Sequence, residues 1–253
     1  MAFQSNFLER IPTVTRSLLI INVIMFVATL INENFMIGTF AMFYPASPLF
    51  RWWQPLTHMF MHGGWWHIFF NMYTLVMFGM VVEQALGTKK FLILYFVTGL
   101  GAAALHTGVE WLQYHQALAA ADTALTQDVI DLFRTPMVGA SGAIYGVLVA
   151  FAMLYPEARM TLIFPPVTLD AKWMVAIFIG IELLTGITGT QMGVAHFAHL
   201  GGALLPDIAA KLGVQLVVLR TAHLHLAQVL GIAVDQDVVA RGGKDGELGI
   251  VRV

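Results

Sequence analysis

The sequence predicts an all-α, polytopic membrane protein built as a bundle of six transmembrane helices, and three observations carry that prediction. Of the 253 residues, 58% are hydrophobic and only 11% are charged, against about 25% charged in an average soluble domain. Mean hydropathy is +0.75, too high for a chain that must cover a water-facing surface. The apolar residues also gather in long runs, and a spanning helix needs about 20 of them. This composition excludes a disordered chain. A formal net charge of -2 supplies no basic field, so nucleic acid is not an expected partner and the lipid bilayer is. The chain has no cysteine, which rules out thiol nucleophiles, disulfide frameworks and cysteine-ligated zinc.

The expected elements follow in chain order. The first span is Arg16–Ile31. Glu9, Arg10 and Pro12 precede it and no small-residue cleavage pattern follows it, so it reads as a retained span and not a signal peptide. A long link, Asn32–Gly64, is rich in Phe, Met, Trp and Pro and is expected to lie partly in the membrane interface. The second span, Trp65–Val82, turns back through Glu83–Lys90, with Gly87 as breaker, into the third, Phe91–Leu105. His106–Pro136 is the most polar link before the tail and reads as a loop. The fourth span is Met137–Tyr155, the fifth Trp173–Ile187, and the sixth starts at Val194. Pro206 and Asp207 are expected to break the sixth, since proline removes a helix hydrogen bond and a charge is costly at bilayer depth. Residues 1–212 are thus expected to form the membrane domain, and 213–253 a cytoplasmic tail with a disordered end.

Orientation follows from Lys and Arg, which favour the cytoplasmic side. With six spans, eleven of the thirteen fall on the side of the two termini, and only Arg51 and Arg134 on the other. Both termini are therefore expected in the cytoplasm and both long loops outside.

Membrane segments hide polar side chains only for a reason, and three clusters fall at one expected depth. They are His58 to Asn71 before and within span two, Gly139 to Gly146 at span four, and Ala195 to Gly202 at span six. Ser141 is flanked by Gly139 and Gly142 and opens a helix, where backbone N–H groups lack partners and negative charge is favoured. That suits a serine nucleophile, although Gly, Ala and Ser are also the usual small residues of packed membrane helices. A serine needs a base, and His196 and His199 are the candidates. Gly201 and Gly202 would let span six pack closely and bring His199 to Ser141. No carboxylate is evident as a third member, the nearest being Asp207, so the expected unit is a Ser–His dyad. His67 and Asn71, four apart on one helix face, are the expected oxyanion donors. His58 and His62 share that spacing, but a structural role fits them better than zinc, and no metal is expected. Glu182, alone in its span, reads as a buried, hydrogen-bonded or protonated structural glutamate, in preference to a gate or proton site of a small transporter.

With these motifs assembled, the sequence closely resembles the rhomboid intramembrane serine proteases over about Arg16 to Gly202. His58 through Asn71 is similar to the family's H-x-x-x-H-x-x-x-x-H-x-x-x-N pattern, Gly139–Gly142 to its G-x-S-G, and Ala198–Gly202 to its A-H-x-x-G. The resemblance implies a six-span protease of bacterial type, in the bacterial cell membrane, that cleaves transmembrane protein substrates without a cofactor. Ser141 would be the nucleophile and His199 the base. His67, Asn71 and the Ser141 N–H would form the oxyanion hole, and Tyr145 would pack against the base. His62, Gly139 and Gly202 would support the site. Glu83, in E-x-x-x-G, would help hold the first loop, where Trp53 matches a W-R pair whose arginine is here Gln54. From Pro206 onward no resemblance is expected. The alternative is a rhomboid-like protein that binds membrane clients without cutting them; such relatives lack the serine or the histidine, and this chain keeps both.

Overall fold

The computed structural model describes residues 7–120, 127–162, 166–187 and 193–206. A short α1 (Phe7–Arg10) leads into α2 (Thr13–Ile31). The long link folds into α3 (Glu33–Phe40), α4 (Gln54–Thr57) and a 3-10 turn, His58–Phe60. Next, α5 (Trp65–Thr74), a π turn (Leu75–Gly79) and α6 (Met80–Leu86) run on as one rod. Gly87 ends it with φ 80, the left-handed cap that glycine adopts without penalty. Then come α7 (Thr88–Ala120), α8 (Gln127–Arg134) and α9 (Ser141–Leu154). An antiparallel hairpin follows, β1 (Arg159–Thr161) with β2 (Thr168–Asp170), closed by an Arg159–Asp170 ion pair at 2.9 Å. Last are α10 (Ala171–Ile187) and α11 (Gly193–Leu204).

Among the described residues the fold is therefore all-α apart from one small hairpin, and each of the six expected runs is helical. Three segments are long and apolar enough to cross a membrane: Thr13–Ile31, Trp65–Leu86 and Thr88–Ala119. Among the described residues α9, α10 and α11 have 14, 17 and 12 residues, so the six-span expectation is met by length at three. The expected loop from His106 is corrected, because α7 continues to Ala120. Its Ala, Leu, Gln and Glu residues are good helix formers despite their polarity, and His106 and Glu110 face each other one turn apart at 3.4 Å. At 1.5 Å per residue the helix is about 50 Å long, beyond a hydrocarbon core of about 30 Å. Tyr114, near its far end, stacks with Phe133 and packs on Tyr44, tying α7 to α8 and the first loop. Helix α11 ends at Leu204, before Pro206; Asp207 and the expected tail lie outside the described residues.

Helix α9 is the central element. Nine of its residues, including Gly142, Ala143, Gly146 and Val147, are buried, whereas α2 and α10 present Ile24, Leu30, Ile181 and Leu184 outward. Small residues govern its neighbours. A Cβ on Gly202 would collide with the Gly142 carbonyl, and one on Gly201 would lie 2.8 Å from the Gly101 carbonyl oxygen. Helix α11 thus seats on α9 and α7 at backbone contact, the approach that small residues permit where hydrocarbon offers no hydrophobic drive.

Two buried polar groups lock the outer parts. Gln54 is fully buried and anchors the first loop. Its Oε1 accepts from the Arg51 and Phe43 N–H groups at 3.0 and 3.4 Å, and its Nε2 donates to the Leu49 carbonyl at 3.1 Å. Trp53 Nε1 donates to the Thr39 carbonyl at 2.9 Å. Among the described residues Glu83 bonds the start of α2 and not the first loop, which corrects the expectation. Its carboxylate accepts from the N–H groups of Val14 and Thr15 at 2.9 and 2.7 Å and from Thr15 Oγ1 at 2.8 Å. These N–H groups are the partnerless donors at the start of α2, whose own cap position is Pro12.

Candidate active site

Ser141 is the first residue of α9. The stretch of chain before it is irregular backbone inside a membrane domain, tolerated only where protein satisfies it. The first loop does so: Met137 and Met42 exchange backbone hydrogen bonds at 2.7 and 3.0 Å, and the Gly139 N–H donates to the His58 carbonyl at 3.0 Å. Gly139 has φ 130, and a Cβ there would lie 2.9 Å from His67 Nε2 and 3.3 Å from Ser141 Oγ. Only glycine suits both the backbone angle and the space.

His199, on α11, directs Nε2 to Ser141 Oγ at 2.8 Å. The Gly202–Gly142 contact one turn away brings the two helices close enough for this. Tyr145, one turn beyond Ser141, stacks on the His199 ring at 4.7 Å with 10° between planes. His196 does not reach the serine; its Nδ1 bonds Glu182 Oε2 on α10.

Glu182 corrects the expectation that no carboxylate completes the pair. Its Oε1 accepts from Tyr145 Oη at 2.5 Å and lies 2.9 Å from His199 Nδ1. The Nδ1 approach is close in distance but makes no linear hydrogen bond. Glu182 is hydrogen-bonded, as its burial requires, but beside the Ser–His pair, whereas Asp207 lies outside the described residues. The signal in the sequence is an ionisable residue within an apolar helix, which is a mark of function by default.

His67 and Asn71 on α5 face the same space. The Gly63 N–H donates to His67 Nδ1 at 3.3 Å, so the ring proton sits on Nε2 and points at the site. Asn71 Nδ2 donates to the His67 carbonyl at 2.8 Å, leaving a second amide hydrogen. His62 packs edge-on against the His67 ring at 5.0 Å, and burial lowers its pKa to about 3, so it stays neutral. A cavity of about 460 Å³ joins His67, Asn71, Ser141, Tyr145 and His199, walled by Trp66, Phe70 and Phe178. His58 Nδ1 bonds the Gln54 carbonyl at 3.2 Å, which ties the first loop to its own short helix. Glu182, His196 and His199 do bring three ligand atoms within 4.8 Å of one another, and protein donors already occupy both carboxylate oxygens.

A serine, an imidazole, donors and a central glycine-packed helix in an apolar bundle define a class: a membrane-embedded domain with a hydrolase-like site. The Rhomboid domain family model matches residues 49–214, and the chain belongs to that family. It is 31% identical over 156 residues to Rhomboid protease AarA of Providencia stuartii, covering 61% of this chain and 53% of that protein. It is 32% identical over 181 residues to RHOMBOID-like protein 12, mitochondrial, of Arabidopsis thaliana, covering 70% and 51%. With the Presenilin-associated rhomboid-like protein, mitochondrial, of Mus musculus it shares 31% over 150 residues, covering 59% and 35%. The chain spans about half the length of the first two. The family match runs through Pro206 and Asp207 to residue 214, which corrects the expectation that resemblance ends at Pro206.

Proposed function

We propose that the chain is an intramembrane serine endopeptidase that cleaves transmembrane protein substrates. The observation that carries this reading is the 2.8 Å contact from His199 Nε2 to Ser141 Oγ, at the wall of a cavity that also holds two side-chain donors. As Ser141 Oγ attacks a substrate carbonyl carbon, His199 Nε2 takes its proton. The carbonyl oxygen becomes an oxyanion, met by His67 Nε2–H, Asn71 Nδ2–H and the Ser141 N–H. One such donor is typically worth about 10²–10³ in rate. The peptide C–N bond then breaks and His199 gives its proton to the departing amine. Water attacks the acyl-enzyme carbonyl as His199 takes the water proton, and the ester C–O bond then breaks as His199 returns that proton to Ser141 Oγ. No step calls for a cofactor. Gly139, which leaves open the space between His67 and Ser141, supports the oxyanion position.

The loops carrying Arg51 and Arg134 face outward and the Lys- and Arg-rich termini face the cytoplasm in this reading, within a bacterial cell membrane. The test is cleavage of a transmembrane reporter by the detergent-solubilised protein. Ser141→Ala, nearly isosteric, is expected to abolish cleavage while leaving the melting curve in place. Cleavage at the wild-type rate in that variant would refute the protease reading, and a wild-type chain that binds the reporter without cutting it would favour a client-binding protein.

A further inference from the structure

We propose that Glu182 is a positioning residue of this site: one carboxylate on α10 holds His199 and Tyr145 in register with Ser141. This assignment rests on the protease reading above.

The geometry ties three helices at one group. Oε1 accepts from Tyr145 of α9 at 2.5 Å and stands 2.9 Å from His199 Nδ1 of α11, while Oε2 bonds His196 Nδ1, one turn before His199. A carboxylate buried only to satisfy itself would be complete with Tyr145 and His196. The approach to His199 adds nothing to that satisfaction and is what the chemistry needs. A carboxylate oxygen 2.9 Å from Nδ1 cannot donate to it and favours the ring proton on that nitrogen, while Nε2 faces the Ser141 hydroxyl at 2.8 Å. Nε2 is then unprotonated toward Ser141 Oγ, the tautomer required of a base. When Nε2 takes the serine proton, the new imidazolium charge forms next to a fixed negative charge.

Glu182 also sets the ring plane. Tyr145 lies flat on the imidazole, 10° from parallel, and its hydroxyl is pinned to the same oxygen that approaches Nδ1. Face and edge of the His199 ring are thereby referred to one atom. Two rival roles for Glu182 are a purely structural pin between α10 and its neighbours, and a metal ligand together with His196 and His199.

The experiment compares wild type, Glu182→Gln and Glu182→Asp in detergent, with Ser141→Ala as blank. Reporter kinetics, the rate of labelling by a fluorophosphonate and the melting midpoint are read for each. Glu182→Gln keeps shape and loses charge. Its kcat is expected to fall at least about tenfold, a part of the 10²–10⁴ that a general base contributes, with KM within twofold and labelling slowed in proportion. Glu182→Asp is expected to recover part of the loss. Nitrogen-15 NMR of histidine-labelled wild type is expected to show His199 as the Nδ1–H tautomer, a measurement that needs no stable variant. Full kcat in Glu182→Gln, a loss confined to KM, or an Nε2–H tautomer would overturn the assignment. Loss of wild-type activity on treatment with EDTA would overturn it too, in favour of a metal. If wild type neither cleaves nor labels, the protease reading has failed; if wild type is active and Glu182→Gln equally so, only the Glu182 assignment has.

Discussion

The two sides of His199 are held by different physics. On one side α11 meets α9 and α7 through Gly201 and Gly202, with no side chain between the backbones. On the other, α10 lies at the edge of the bundle with Ile177, Ile181 and Leu184 exposed, and reaches the site through Glu182. The glycine seam fixes the distance from His199 to Ser141, because backbone contact leaves no slack. The carboxylate fixes the orientation of the ring. Distance is thus built from sterics that tolerate no larger residue, and orientation from charge and hydrogen bonding that a substitution can remove without dismantling the bundle.

The largest expected effect comes from breaking the seam. Gly202→Val would drive its side chain into the Gly142 carbonyl, and is expected to lose both a cooperative melting transition and reporter cleavage. A folded, active Gly202→Val protein would show that the seam can open at little cost. Smaller, and confined to chemistry, is His67→Ala. It is expected to lower kcat by about 10²–10³ while the melting midpoint stays near wild type. An unchanged kcat would remove His67 from the oxyanion site.

These contrasts also show what sequence alone can and cannot carry. Ser141 and His199 stand out because each sits beside glycines in an apolar run, and the packing those glycines permit is the packing found. Glu182 stands out as the one ionisable residue of its span, but its place beside His199 is not legible. Glu182 lies 17 positions before His199, on another helix, and its facing depends on how α10 crosses α11, which no local pattern encodes. The partners of Glu83 escape for a related reason: they are backbone N–H groups of Val14 and Thr15, and nearly every residue type has those. The extension of α7 past Leu105 is hidden by its polarity, since His106 and Glu110 read as loop residues until they are seen to satisfy each other.

Away from the site the expected effects concern stability only. Glu83→Gln removes a charge from four donors, three at the buried start of α2 and one on Thr88. It is expected to cost about 1.5–3 kcal/mol, the range for hydrogen bonds to charged groups, with kcat retained. A midpoint equal to wild type would mean that the amide caps α2 equally well.

The last effect, absent at neutral pH and confined to acid, is a pH dependence from the first loop. Burial lowers the pKa of His58 from its usual 6.5 to about 4. Between those values the unfolded chain takes up a proton that the folded chain refuses, so stability falls as pH drops from about 6.5 to 4. His58→Gln is expected to flatten that fall in a melting series, and an equally steep fall would place its origin elsewhere.

The most direct test of the central claim, that Ser141 is activated by His199 inside a membrane bundle, is covalent labelling. The detergent-solubilised protein is treated with a fluorophosphonate and the modified residue is located by mass spectrometry. The account predicts one adduct, on Ser141, absent in Ser141→Ala and lost in His199→Ala but retained in His196→Ala. An unlabelled wild-type protein that still cleaves its reporter, or an adduct that persists in His199→Ala and vanishes in His196→Ala, would contradict it.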